Sequence, residues 1–151
     1  MKTTKKAFTM IELVFVIVIL GILASVAVSK MGATRDDALI AKARSQVASI
    51  RNAIALTKSV KMMEGSATLY PNTLDKTAGQ IFDEAADGTK LLDYPIYTKN
   101  ENGHWTKQSV NGTKTVYRFN FQGNPADFTY DSSDGSFDCN HTNTTCKLLT
   151  E

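Results

Sequence analysis

An apolar run from Phe8 to Val28, charged only at Glu12, constrains this chain more than any other feature. As a helix its 21 residues, at about 1.5 Å each, cover roughly the 30 Å of a bilayer's hydrocarbon, so the run is long enough to span a membrane. A carboxylate inside hydrocarbon costs on the order of 3 kcal/mol, so Glu12 requires a partner cation or a shallow position. The neighbouring sequence supplies no such cation. A secretory signal peptide is a poor fit, because its apolar region spans only about 7 to 15 residues. A plain single-span anchor fits the length but gives no reason for Glu12 or for Phe8-Thr9 at the start of the run.

The residues Lys5-Lys6-Ala7-Phe8-Thr9-Met10-Ile11-Glu12-Leu13 resemble the N-terminus of the type IV prepilin family. That family includes type II secretion pseudopilins, type IV pilins and the pilin-like proteins of DNA-uptake machines. The resemblance implies cleavage between Ala7 and Phe8 by a prepilin peptidase and N-methylation of Phe8. It also implies an assembly role for Glu12, whose carboxylate would meet the Phe8 amine of a neighbouring subunit. Other pilin or pseudopilin subunits and an inner-membrane assembly platform are the implied partners. Ala7 stands where the family usually has Gly, and the end of the run lacks the helix-bending Pro of many members, so the helix is expected to run on without a kink.

From Ser29 to about Met63 the sequence continues as helix. Ile40, Ala43, Val47, Ile50 and Ile54 step by three and four, forming one apolar stripe on an otherwise polar rod. Gly65 is the stop signal and Pro71 prevents continuation. The predicted divisions are a basic leader over 1–7, a membrane helix over 8–28, its amphipathic continuation over 29–64 and a globular head over 65–151.

Residues 72–94 read as a connection with a short helix over Thr77 to Ala86, ended by Asp87-Gly88. After it the pattern turns to β. Strands are predicted over His104 to Val110 and Thr113 to Phe121, joined through Asn111-Gly112, whose tolerance of positive φ suits a type I′ turn. Tyr117, Phe119 and Phe121 share one face, expected to pack on the Ile40 to Ile54 stripe. Further strands follow over Ala126 to Asp131 and Ser136 to Cys139. The expected fold class is α+β: a pilin-like ladle with a long N-terminal helix packed against a small antiparallel sheet.

Lys2, Lys5 and Lys6 place the N-terminus in the cytoplasm by the positive-inside bias, and the head in the periplasm beyond the inner membrane. Two cysteines in an exported domain are expected to pair, so Cys139 and Cys146 are assigned a disulfide. Cys139, His141 and Cys146 supply only three local zinc ligands in a compartment that favours the bridge. Asp131, Asp134 and Asp138 surround a turn. Some pseudopilins of the type II secretion family bind calcium through acidic loop residues near the C-terminus, which makes these three the calcium candidates. Their spacing is not that of an EF-hand, and a solvated turn is the simpler reading. Asn111, Asn140 and Asn143 each begin an Asn-x-Thr triplet, and Asp138 stands two before Asn140, as bacterial N-glycosylation systems prefer.

No catalytic residue is assigned, because His104 and His141 lack a Ser or Cys partner at a nucleophile's spacing. The resemblance implies a filament subunit of a type II secretion or type IV pilus-like system. The alternatives are a competence pseudopilin for DNA uptake and, from another class, a single-span periplasmic binding module. Residues 30–64 hold seven basic and three acidic side chains, and 65–151 seven and eleven. The acidic head argues against non-specific DNA binding, which depends on basic groups releasing counterions.

Overall fold

The computed structural model describes residues 8–151, and of 28–34 the backbone alone. Helix α1 spans Met10–Met63, followed by β1 (Gln80–Ile81), β2 (Ile96–Tyr97), β3 (Trp105–Asn111), β4 (Lys114–Phe119), β5 (Ala126–Asp131), β6 (Ser136–Cys139) and α2 (Thr144–Thr150). The chain divides after Ala38 into two compact units. The first unit holds the apolar part of α1, and the second holds the remainder of α1, both sheets and α2. These elements place the chain in the α+β class expected.

The second unit is built on the predicted stripe. Ala43, Val47, Ile50 and Ile54 are buried in one core with Trp105, Tyr117, Phe119, Phe121, Phe128, Tyr130 and Phe137, and Ile40 packs at its margin. Strands β3 to β6 form an antiparallel meander in sequence order, with β1 and β2 as a separate pair. Alternation along β4, β5 and β6 sends Tyr117 and Phe119, Phe128 and Tyr130, and Phe137 inward while Arg118, Asp127 and Asp138 face water. The Trp105 indole lies edge-on to Phe128, 5.3 Å between ring centroids, and donates its N–H to Gln46 Oε1 of α1 at 3.0 Å.

Helix α1 stops where Gly65 predicts. The amide of Gly65, at φ 69°, donates to Met62 O and that of Ser66 to Lys61 O, the paired bonds of a Schellman motif.

Three local expectations are corrected. Residues 77–86 are not helical: Gln80–Ile81 pairs with Ile96–Tyr97. Phe82 takes φ 57° to bury its ring, and the Asp83 carboxylate accepts the amides of Lys76 and Thr77. Tertiary burial and a side-chain cap thus displace the helical backbone bonds. The β3–β4 turn is Gly112-Thr113, because Asn111 stays in the ladder opposite Lys114. Glycine then sits at the first central position with φ 59°, the requirement of a type II′ rather than a type I′ turn. Finally, 144–150 form α2, unforeseen, with Asn143 as N-cap accepting from the Cys146 amide.

Gly135 is required twice over. Its φ is 76°, and a Cβ there would stand 2.1 Å from Tyr70 Cε1. Gly135→Ala is therefore expected to destabilise the fold by about 1 to 3 kcal/mol. Denaturant midpoints of the detergent-solubilised chain check this, and an unchanged midpoint would show that the Tyr70 ring moves aside without cost.

Candidate functional site

The N-terminal end of α1 is organised by Thr9 and Glu12. Thr9 is the N-cap, and Glu12 lies three residues on, at the position from which a carboxylate can reach back. Glu12 Oε2 accepts from the Thr9 amide at 2.9 Å and from Thr9 Oγ1 at 2.8 Å, while the Glu12 amide donates to Thr9 Oγ1 at 3.3 Å. This is a capping box, worth about 1 kcal/mol to a helix start. Its signature, Thr-x-x-Glu before an apolar run, was present in the sequence and not read from it. Glu12 Oε1 takes no hydrogen bond among the described residues. One oxygen is committed within the chain and the other is available.

From Met10 to Ala27 the helix has a mean hydropathy of 2.8 and none of it is buried. Phe8 is 84% exposed, and Ile19, the least exposed of the large apolar side chains in the run, is still 40% exposed. Apolar exposure on all sides of a helix requires a cover the first unit does not provide, either lipid or other helices. Of the expected processing site, Phe8 is described and Ala7 lies outside the described residues.

Cys139 and Cys146 are at disulfide distance, with Cα atoms 5.9 Å apart, fastening the end of β6 to α2. Beside them Asp138 Oδ1 meets Arg51 of α1 at 2.9 Å, and Oδ2 meets His141 Nε2 at 3.2 Å. The calcium candidates are occupied with other work. Asp131 Oδ1 accepts from the Ser133 amide and hydroxyl, its Oδ2 faces Lys114 at 3.5 Å, and Asp134 Oδ1 accepts from the Ser136 amide. Among the described residues no group of three or more His, Cys, Asp or Glu is placed to hold a metal ion. His104 is half-buried in a turn, its backbone amide bonded to Glu101 O.

An open groove of about 300 Å³ is lined by Asp75, Thr77, Gln80, Thr98, Thr106 and Lys107. Its carboxylate is already spent: Asp75 receives the Tyr117 hydroxyl and the Lys107 ammonium, each at 2.6 Å. Burial and that carboxylate hold the Tyr117 phenol protonated far above its ordinary range.

The prokaryotic N-terminal methylation motif, the type IV prepilin-like signal, matches residues 2–28. It covers the leader, Phe8, Glu12 and the apolar run together. The motif implies processing by a prepilin peptidase and pilin-like assembly in general, and with the apolar helix it fits membrane anchoring. Comparison with curated proteins and with solved structures finds no match to the chain.

The Ser133 amide and then its hydroxyl hold the Asp131 carboxyl down to about 2. A depressed carboxylate stabilises the fold above its unfolded value, near 4, and that contribution is lost as pH falls through the folded one. Melting temperatures should therefore be level between pH 7 and about 5 and decline from about pH 4 toward 2. Asp131→Asn should flatten that decline, and equal slopes for the two proteins would remove Asp131 from the acid response.

Proposed function

We propose that this chain, carrying a prepilin-like signal ahead of an α+β head, is a non-enzymatic structural subunit of a type II secretion or type IV pilus-like filament. A prepilin peptidase trims it before Phe8 and methylates the new amine. Before assembly it sits in the inner membrane by a single span, N-terminus in the cytoplasm and head in the periplasm. An inner-membrane platform then draws it into the filament, where neighbouring apolar helices cover the surface that lipid covered first.

The observation that carries the reading is the coincidence of the motif with Glu12 and its free Oε1. The capping box uses the Thr9 amide, so it survives a cut before Phe8. Glu12 Oε1 then receives the cationic amine of a neighbour. A buried ion pair adds little net stability, but a misplaced subunit leaves a carboxylate unpaired among apolar side chains, which costs several kcal/mol. The pair therefore selects axial register.

Protein secretion is favoured over DNA uptake by the partners of four of the seven cations of α1. Arg51 is bound by Asp138 and Phe137 O, Arg44 by Leu148 O, Lys61 by Asp87, and Lys58 lies 5.4 Å from the Tyr70 ring centroid. Charges satisfied within the subunit release fewer counterions to a phosphate backbone. A periplasmic binding module is disfavoured by the groove, whose carboxylate is spent.

Two measurements test this. The membrane-extracted protein should begin at Phe8 and be heavier than the bare processed chain by one methyl group; a chain beginning at Met1 would overturn the filament reading. Glu12→Gln keeps an oxygen for Thr9 while removing the charge, so it should insert and be processed normally yet fall at least tenfold in recovered filaments. Normal assembly of that variant would dismiss the charge pair.

A further inference from the structure

The three Asn-x-Thr triplets have different surroundings. Asn143 is committed: its Oδ1 accepts from the Cys146 amide at 3.0 Å, and its Nδ2 donates to Asn124 Oδ1 at 3.1 Å and Pro125 O at 3.0 Å. Freeing that nitrogen would break its bonds to Asn124 and Pro125. Asn111 is exposed but held in the β3–β4 ladder opposite Lys114, with Ser109 two residues before it. Asn140 differs from both. It is exposed with His141 and Thr142 in the turn after β6, and its Nδ2 makes no hydrogen bond among the described residues.

Asn140 Oδ1 accepts from both the amide and the hydroxyl of Thr142, at 3.0 and 2.9 Å. That bond brings together the two side chains that define the triplet. Asp138, two residues before Asn140, keeps a half-exposed carboxylate at the end of β6, where it meets Arg51, His141 and the Cys139 amide. An acidic residue at that offset is what single-subunit bacterial oligosaccharyltransferases read. The three groups such an enzyme must contact, a carboxylate, an amide nitrogen and a hydroxyl, therefore lie together at the exposed end of β6 and in the turn that follows it.

We propose that Asn140 is an acceptor for an N-linked oligosaccharide. The donor class is a polyprenyl-pyrophosphate-linked oligosaccharide in the membrane. The Asn140 Nδ2 lone pair attacks the anomeric carbon of the first sugar. A C–N bond forms, the bond from that carbon to the pyrophosphate oxygen breaks, and the polyprenyl pyrophosphate leaves with the electron pair. One Nδ2 proton passes to a base of the transferase, and nothing is oxidised or reduced. The assignment rests on export of the head, since the transferase acts on that side of the membrane.

The test is expression of the full chain in a bacterial host supplied with such a transferase and its lipid-linked oligosaccharide, read by intact mass and glycopeptide sequencing. Thiol alkylation reports the Cys139–Cys146 bridge in the same sample. One glycan on Asn140 is expected, absent in Asn140→Gln, reduced at least tenfold in Thr142→Val and Asp138→Asn, and unchanged in Asn111→Gln. Retention of the bridge shows that each variant folds. An oxidised but unmodified chain, or a glycan on Asn111 or Asn143 instead, overturns the acceptor assignment and leaves export standing. Free thiols without a glycan overturn export and the assignment with it.

Discussion

Apolar helix surface has to leave water, and α1 meets that demand with two different solutions. From Leu39 onward α1 buries one apolar stripe, Ala43, Val47, Ile50 and Ile54, which the chain covers with its own aromatic sheet while Leu56, Met62 and Met63 stay exposed. Over Met10–Ala27 apolar residues cover every face, and nothing in the first unit shields them. At about 25 cal/mol per Å² of apolar area, leaving such a surface in water is costly, so it calls for a cover that the first unit does not supply. The fold of the second unit follows from the first solution, and the assembly behaviour proposed for the protein follows from the second.

Electrostatics in the second unit serve the same end. Arg51, Arg44 and Lys61 reach from α1 to a carboxylate or carbonyl of the segments that cover it. Exposed pairs of this kind contribute modestly, up to about 1 kcal/mol each. They also give the polar flank of the stripe a fixed neighbour, so that the aromatic sheet meets α1 at one rotational setting. Trp105 adds a specific bond to that contact, since its indole N–H needs a partner once buried and Gln46 provides it.

The parts legible in the sequence were those governed by periodicity. The Ala43 to Ile54 stripe and the inward face of Tyr117 and Phe119 follow from spacings of three to four or two, and the limits of β5 and β6 from the turn residues Gly123-Asn124-Pro125 and Ser132 to Gly135. The parts that were not legible depend on partners distant in sequence or on a single backbone angle. Phe82 leaves helical geometry because a core of Trp105, Tyr117 and Phe137 receives its ring. Gly112 rather than Asn111 opens the hairpin because the ladder with β4 extends one pair further. Helix α2, at seven residues, is too short to announce itself by pattern, and its N-cap is recognisable only once Asn143 is seen facing the Cys146 amide. At the N-terminal end, the motif and the apolar run were plain, whereas the Thr9–Glu12 bonds rest on side-chain geometry that periodicity does not display.

Those bonds bear on how quickly a filament subunit can be accepted. A free glutamate samples many rotamers, and fixing one removes up to about 1.5 to 2 kcal/mol of side-chain entropy. Thr9 has already fixed it, holding Oε2 at two points so that Oε1 is presented in one direction. In the filament reading, a neighbour's amine meets an acceptor whose conformational search is finished before the encounter. Capture then depends on approach geometry alone, and a subunit arriving from the wrong side finds no carboxylate able to swing round and meet it.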